Sequence, residues 1–246
     1  MFFQELRQFI KSILSWVYIF LICVGLFFFF PLPENSFSVR FFKIMRQGLL
    51  PPSIQLIATN PLTAFLAQIK ISLLLAFIFT FPIFLYQIIN YFSPGLYEKE
   101  KKTVFKILLP STLLFIAGCF FAYFLLIPLT FKMLYSFAPV MDVLPLFSVD
   151  EFISWVIGLT AVSGVMFLLP IFMAILSYLR IISPDFWKKN WRYAILFFLV
   201  VSAIITPDGT GITMIILSVP LSLLYFIGWG ASLRISPKTG SQFLNV

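Results

Sequence analysis

Residues 81 to 110 read "FPIFLYQIINYFSPGLYEKEKKTVFKILLP". An apolar run gives way to a short stretch of lysine and glutamate and then resumes. The runs on either side extend from Phe65 to Ile89 and from Val104 to Phe131. Each exceeds the ~20 residues that an α-helix needs to cross ~30 Å of hydrocarbon. The charged stretch "SPGLYEKEKK", residues 93 to 102, is therefore expected as a loop joining two membrane spans.

The rest of the chain follows the same pattern. Of its 246 residues 61% are hydrophobic and only 11% charged, with a mean hydropathy of +1.05, outside the range of soluble domains. Histidine is absent, which excludes imidazole catalysis and imidazole metal ligation. Cys23 and Cys119 each fall within an apolar run, outside any CxxC spacing, and read as buried free thiols. A net charge of +8 in such a chain records loop orientation and attraction to anionic headgroups, and no nucleic-acid partner is expected.

Six apolar segments are expected to be transmembrane helices: residues 13–30, 65–89, 104–131, 152–179, 193–206 and 212–233. Arg7 and Lys11 precede the first, as in a signal peptide, but its 18 residues end in "FFFFPLP" with no small-residue cleavage site, so it reads as a retained span. Pro82, Pro110, Pro128, Pro170 and Pro220 lie in or near the spans and predict kinks. The fifth segment is short: at 1.5 Å per residue it reaches only about 21 Å. "TPDGTG" follows it as a tight turn into the sixth.

Twelve lysines and arginines fall on the side of the N-terminus and four on the other, with Lys70 inside the second span. The positive-inside rule then places both termini in the cytoplasm, or in the equivalent compartment of an organelle. The first outer connection contains "FSVRFFKIMRQGLL", which reads in two ways. One is a surface helix with Arg40, Lys43 and Gln47 on one face and Phe37, Phe41, Ile44 and Met45 on another; the other is an irregular loop whose aromatics dip into headgroups.

None of the nine acids lies near the centre of a span, and Lys70 sits close enough to the outer end of its span to snorkel. That pattern disfavours a proton-coupled carrier, which needs an ionisable group at mid-depth. There is no glycine-rich phosphate loop, no Ser/His/Asp set and no HExxH, so neither an enzyme nor a cofactor is expected. A small-molecule permease is the alternative function. Glu98 and Glu100 also have two readings. They either form solvated ion pairs with Lys99 and Lys101, worth little, or hold a cationic partner that the lysines would otherwise repel. Glu5, close to Arg7, is open to the first reading as a helix-start charge pair.

Several stretches, in order, resemble the TatC family, the polytopic component of the twin-arginine translocase. They are "QELR" (4–7), "LIATNPLTAFLAQIKISL" (56–73), "FPIFLYQIINYFSPGLYEKEKK" (81–102), "LPSTLLFIAGCFFAYFLLIPLTF" (109–131), "LLPIFM" (168–173), "SPDFWKKNWRY" (183–193) and "ITPDGTGITMIILSVPLSLLY" (205–225). The resemblance implies an all-α fold of six helices in a concave cup, forming one domain over residues 1–246. It implies a receptor for twin-arginine signal peptides on folded cargo, driven by the proton motive force, in an oligomeric complex with single-span partners of the TatA and TatB type. The membrane would be the bacterial cytoplasmic membrane or, alternatively, a thylakoid or other organellar membrane.

By the same resemblance, Glu100 is the acid that binds the arginine pair, with Glu5, Leu6 and Arg7 in the adjoining patch and Tyr91 and Pro94 nearby. A guanidinium offers a planar fork that a carboxylate can accept through two parallel bonds, which an ammonium cannot reproduce. Phe65 and Tyr123 fall at family-like positions that read equally as helix packing or an aromatic belt, and Pro110 and Pro170 would shape the cup. Two departures stand out. Leu168 stands where the family often carries glutamate or glutamine ahead of the proline, implying a partner contact that is rewired or made by packing alone. In the last outer turn, Asp208 or Thr210 takes the place of the family's acid.

Overall fold

The computed structural model describes residues 2–30, 36–50, 54–58, 60–92, 98–137, 146–206 and 211–235, with side chains described from residue 11 onward except at 55 and 90–105. Helices account for nearly all of it. Helix α1 (Phe2–Phe29) starts well before the expected Ile13. No proline or glycine interrupts "FFQELRQFIKS", so nothing stops the helix from continuing through it. Helix α3 (Pro61–Phe92) opens on Asn60, whose Oδ1 accepts the Leu62 N–H at 3.1 Å. Pro61 follows at the first helical position, where its missing N–H costs nothing.

Residues 37–49 adopt the helical alternative, as α2 (Phe37–Leu49). Its buried residues are Ser38, Met45 and Leu49, whereas Phe37 and Ile44 are exposed. The expected apolar face is thus rotated: Arg40, Lys43 and Gln47 do lie outward, but Ile44 joins them. Helix α4 (Glu98–Phe121) starts inside the charged stretch, so the expected loop of 93–102 is shorter than anticipated. Glu98 and Glu100 occupy its first and third positions.

The third expected span is one continuous run broken in register. A π-helical segment, Ala122–Leu126, separates α4 from α5 (Ile127–Ser136), with Ile127 N–H bonded to the Ala122 carbonyl. Pro128 explains it: its ring would collide with the carbonyl four residues earlier, and one wide turn relieves the clash. The fourth expected span is likewise divided, into α6 (Val149–Met166) and α7 (Leu169–Tyr178), with Pro170 in the first turn of α7. Pro82, Pro110 and Pro220 lie within α3, α4 and α9 (Ile212–Ile235) without ending them.

By its internal contacts the chain divides into two compact units, residues 1–164 and 165–246. In the first, α1 and α3 pack antiparallel through aromatic pairs: Trp16 with Phe84 (ring centroids 4.8 Å), Phe27 with Phe79 (6.2 Å) and Phe28 with Phe65 (5.8 Å). Phe115 of α4 is fully buried and stacks on Phe81 at 3.6 Å. Gly164 of α6 meets that ring so closely that a Cβ there would stand 2.7 Å from it. Small residues allow such approaches between helices that lack a hydrophobic driving force in lipid.

One feature departs from an all-helical expectation. Strands β1 (Gln55–Ile57) and β2 (Leu146–Ser148) pair in parallel, Leu56 opposite Phe147, tying together the segments that precede α3 and α6. Three-residue strands carry little periodicity, so the sequence offered no signal for them.

In the second unit, α9 packs against α7 and α8 (Pro184–Ile205). A Cβ at Gly228 would lie 2.8 Å from both the Pro170 Cα and the Met173 Sδ. Tyr225 donates to the Trp187 carbonyl at 2.8 Å, and Trp187 Nε1 donates to Ser177 Oγ at 2.9 Å. Helix α7 closes with Arg180 in the left-handed region, φ 59°, while Arg180 and Ile181 N–H groups bond to the Ser177 and Leu176 carbonyls.

Among the described residues, five helical stretches are long and apolar enough to cross a membrane: Lys11–Phe29, Pro61–Ile89, Lys106–Ser136, Val149–Tyr178 and Ile212–Ile235. They coincide with five of the six expected runs. The remaining run, 193–206, is the apolar end of α8, which begins at Pro184 and carries Asp185, Lys188, Lys189 and Arg192 in its first half. Those charges remove it from the set. Some buried hydroxyls in the spans bond within their own helices, Thr80 to the Ala76 carbonyl (2.8 Å) and Ser111 to that of Ile107 (2.7 Å) among them.

Candidate functional site

The residues expected to receive a signal peptide are carried by three helix ends. Glu5, Leu6 and Arg7 lie in the first two turns of α1, Tyr91 in the last turn of α3, and Glu100 at the third position of α4. Because α1 and α3 run antiparallel, the start of α1 and the end of α3 fall at the same end of this unit. Five residues, 93–97, separate α3 from α4, which keeps the start of α4 at that end too. Pro94, Asp208 and Thr210 lie outside the described residues.

Other sequence-singled residues have defined surroundings. Tyr123 sits in the π segment with its ring 6.3 Å from that of Phe41, and its hydroxyl lies 3.6 Å from where a Cβ on Gly48 would stand. Both contacts are with α2, which favours the packing reading of Tyr123. Phe65 is half exposed and meets Phe28 edge-on. Leu168 caps the N-terminus of α7, its carbonyl accepting the Ile171 and Phe172 N–H groups, each at 3.0 Å. Pro110 is interior to α4, and Pro170 is buried against Gly228. Cys119 is buried as expected, whereas Cys23 is only partly so; both are free.

Two polar constellations escaped the sequence. Lys70 does not snorkel alone: its Nζ bonds to Asp150 Oδ1 at 2.6 Å and to Ser154 Oγ at 3.0 Å. The available signal was a lysine inside a span, which needs a counter-charge, and Asp150 at the start of α6 is the acid within reach. Gln68 Nε2 donates to the Phe28 carbonyl (3.3 Å) and to Ser36 Oγ (3.0 Å), and Ser36 pairs with Ser38 (3.0 Å). Gln68 and Ser38 line a cavity of about 270 Å³ between α2 and α3. Among the described residues, no group of three or more metal-ligating side chains occurs.

Five helices of membrane-crossing length and composition among the described residues define a polytopic membrane protein. Comparison with known proteins narrows this class. The family model described as Sec-independent protein translocase protein (TatC) matches residues 2–220. The TatC protein of Aquifex aeolicus is 34% identical over 228 residues, covering 91% of each chain. That of Cenarchaeum symbiosum is 32% identical over 202 residues, 81% of this chain and 76% of its own. A crystal structure described as the twin arginine translocase receptor TatC superposes with a TM-score of 0.77 at 33% identity, covering 94% of this chain and 99% of that one. The chain belongs to the TatC family. It is accordingly a component of a protein translocase and not an enzyme.

Proposed function

We propose that this chain is the receptor of a twin-arginine translocase, and that the end of the first unit where α1 begins, α3 ends and α4 begins receives the signal peptide. The observation that carries the reading is the grouping of those three helix ends, since it brings residues from positions 5–7, 91 and 100 to one rim. Glu100 accepts the paired guanidinium groups, with Glu5, Leu6 and Arg7 in the adjoining patch and Tyr91 and Pro94 beside it. An acid at this rim is needed because six of the chain's cations flank it in sequence: Arg7, Lys11, Lys99, Lys101, Lys102 and Lys106.

On this reading the rim is cytoplasmic, both termini face the cytoplasm, and α8 with α9 completes six crossings as a short hairpin in a concave cup. The membrane is the bacterial cytoplasmic membrane, the cargo is folded, and the drive is the proton motive force. Single-span partners of the TatA and TatB type assemble with it into an oligomer. With Leu168 in place of a polar residue, that partner contact rests on shape, with Phe65, Tyr123 and Asp208 as further candidates and Pro110 and Pro170 setting the helix directions.

The test is site-specific photocrosslinking of a twin-arginine precursor to the full chain in membrane vesicles. Glu100→Lys abolishes the adduct while the protein remains inserted at its normal level. An undiminished adduct, or equal docking of a precursor with two lysines in place of the arginines, removes the site assignment.

A further inference from the structure

A second set of polar and aromatic groups lies in the other unit and takes no part in the reading above. Helices α8 and α9 enclose a cavity of about 250 Å³ lined by Trp187, Lys188, Trp191, Tyr225, Phe226 and Trp229. A water molecule occupies ~30 Å³ of liquid, so the space holds far more than one. Its aromatic walls pack on one another: Trp187 and Tyr225 meet edge-on at 6.2 Å, Trp191 and Phe226 are tilted at 6.1 Å, and Tyr225 is buried.

The hydrogen-bonding capacity of the lining is unevenly used. Trp187 Nε1 is committed to Ser177 and the Tyr225 hydroxyl to the Trp187 carbonyl. The Trp229 indole N–H, by contrast, is buried with no hydrogen-bond partner among the described residues. A buried donor left unpaired is costly, so a lining group of this kind signals an acceptor that completes the site. Lys188 supplies a positive charge at the same cavity. The same half of α8 also carries Lys189 and Arg192, whose guanidinium lies 5.4 Å from the Trp191 ring centroid, and Arg234 lies in the last turn of α9; Asp185 is the one acid in α8. The ligand must therefore accept hydrogen bonds and carry negative charge. An aromatic cage for a quaternary ammonium would not carry a lysine in its lining.

The setting selects the source of that anion. Leu196, Phe197, Leu223 and Ile227, on the same two helices, are exposed apolar side chains. Tryptophans mark the membrane interface, and basic pockets between helices at that level fit lipid headgroups. We propose that this cavity binds the phosphate of an anionic phospholipid, with Lys188 and the Trp229 N–H as its donors and the acyl chains lying along the apolar surface of α8 and α9. The site would anchor the charged first half of α8 to the bilayer edge.

The experiment is native mass spectrometry of the full chain released from detergent micelles, titrated with phosphatidylglycerol or phosphatidylcholine. The first phosphatidylglycerol adduct forms about tenfold more tightly than that of phosphatidylcholine. Lys188→Gln and Trp229→Phe, which keep a polar side chain and an aromatic ring respectively, each weaken it about fivefold. Lys189→Gln removes the same charge from the same helix outside the cavity and changes it less than about twofold. Soluble glycerol phosphate or inorganic phosphate at ~10 mM does not displace the lipid. Equal binding of phosphatidylcholine overturns the proposal, as does an equal effect of Lys188→Gln and Lys189→Gln, which would mean diffuse attraction. Displacement by soluble phosphate assigns the cavity to a free anion instead and overturns the lipid.

Discussion

Lys70 of α3 and Asp150 of α6 form the salt bridge seen among the described residues, Nζ to Oδ1 at 2.6 Å, with Ser154 completing the ammonium's surroundings. Lys70 stands about 14 Å along α3 from its first residue. The pair joins two helices whose preceding segments are already tied by the β1–β2 pairing. Removing one partner strands a charge beside apolar surface, whereas exchanging both keeps the pair. Lys70→Ala or Asp150→Ala is expected to lower stability in detergent by about 1–3 kcal/mol, the lower end reflecting partial exposure. The Lys70→Asp/Asp150→Lys double variant recovers at least half of that loss, read from thermal unfolding midpoints. No recovery would mean that each residue acts separately.

Gly164 concerns packing alone. Its missing side chain leaves room for Phe115, which cannot retreat because it stacks on Phe81 at 3.6 Å. Gly164→Ala should cost about 1–3 kcal/mol through overpacking. In combination with Phe115→Leu the loss is smaller than the sum of the two single losses, since the colliding ring atoms are gone. Strict additivity of the unfolding energies would contradict this contact.

A comparison inside one helix is sharper. Gly228 approaches the Pro170 backbone, which cannot rotate aside, while a Cβ at Gly230 has nothing within 4 Å. Gly228→Ala is expected to destabilise by about 1–3 kcal/mol and Gly230→Ala to stay within about 0.5 kcal/mol of the parent. Limited proteolysis of the two variants in parallel reports the difference. Equal protection would rule out the close α7–α9 approach.

Arg180 occupies a backbone conformation that glycine adopts freely and β-branched residues avoid. Arg180→Val should therefore lose about 1–2 kcal/mol. Arg180→Gly should lose nothing measurable, because relief of the native strain offsets the greater freedom of the unfolded chain. Denaturation curves in which both variants behave alike would argue against the left-handed cap.

The membrane character, the positions of five apolar stretches and the family resemblance were legible in the amino-acid sequence because they depend on quantities summed along the chain. Hydrophobic length, lysine and arginine placement and motif order need no knowledge of neighbours. Proline positions were equally legible, but their consequences were not: Pro82 and Pro110 are absorbed within helices, Pro128 sits behind a π turn and Pro170 follows a break. Which outcome occurs depends on whether nearby residues can take up the displaced carbonyl. Only the tertiary structure decided that Lys70 faces Asp150, that Ile44 turns outward from α2, that two three-residue strands pair, and that an indole N–H is enclosed beside Lys188. Each of these is a contact between residues far apart or on crossed elements, set by how helices pack, and a linear pattern carries no record of that geometry.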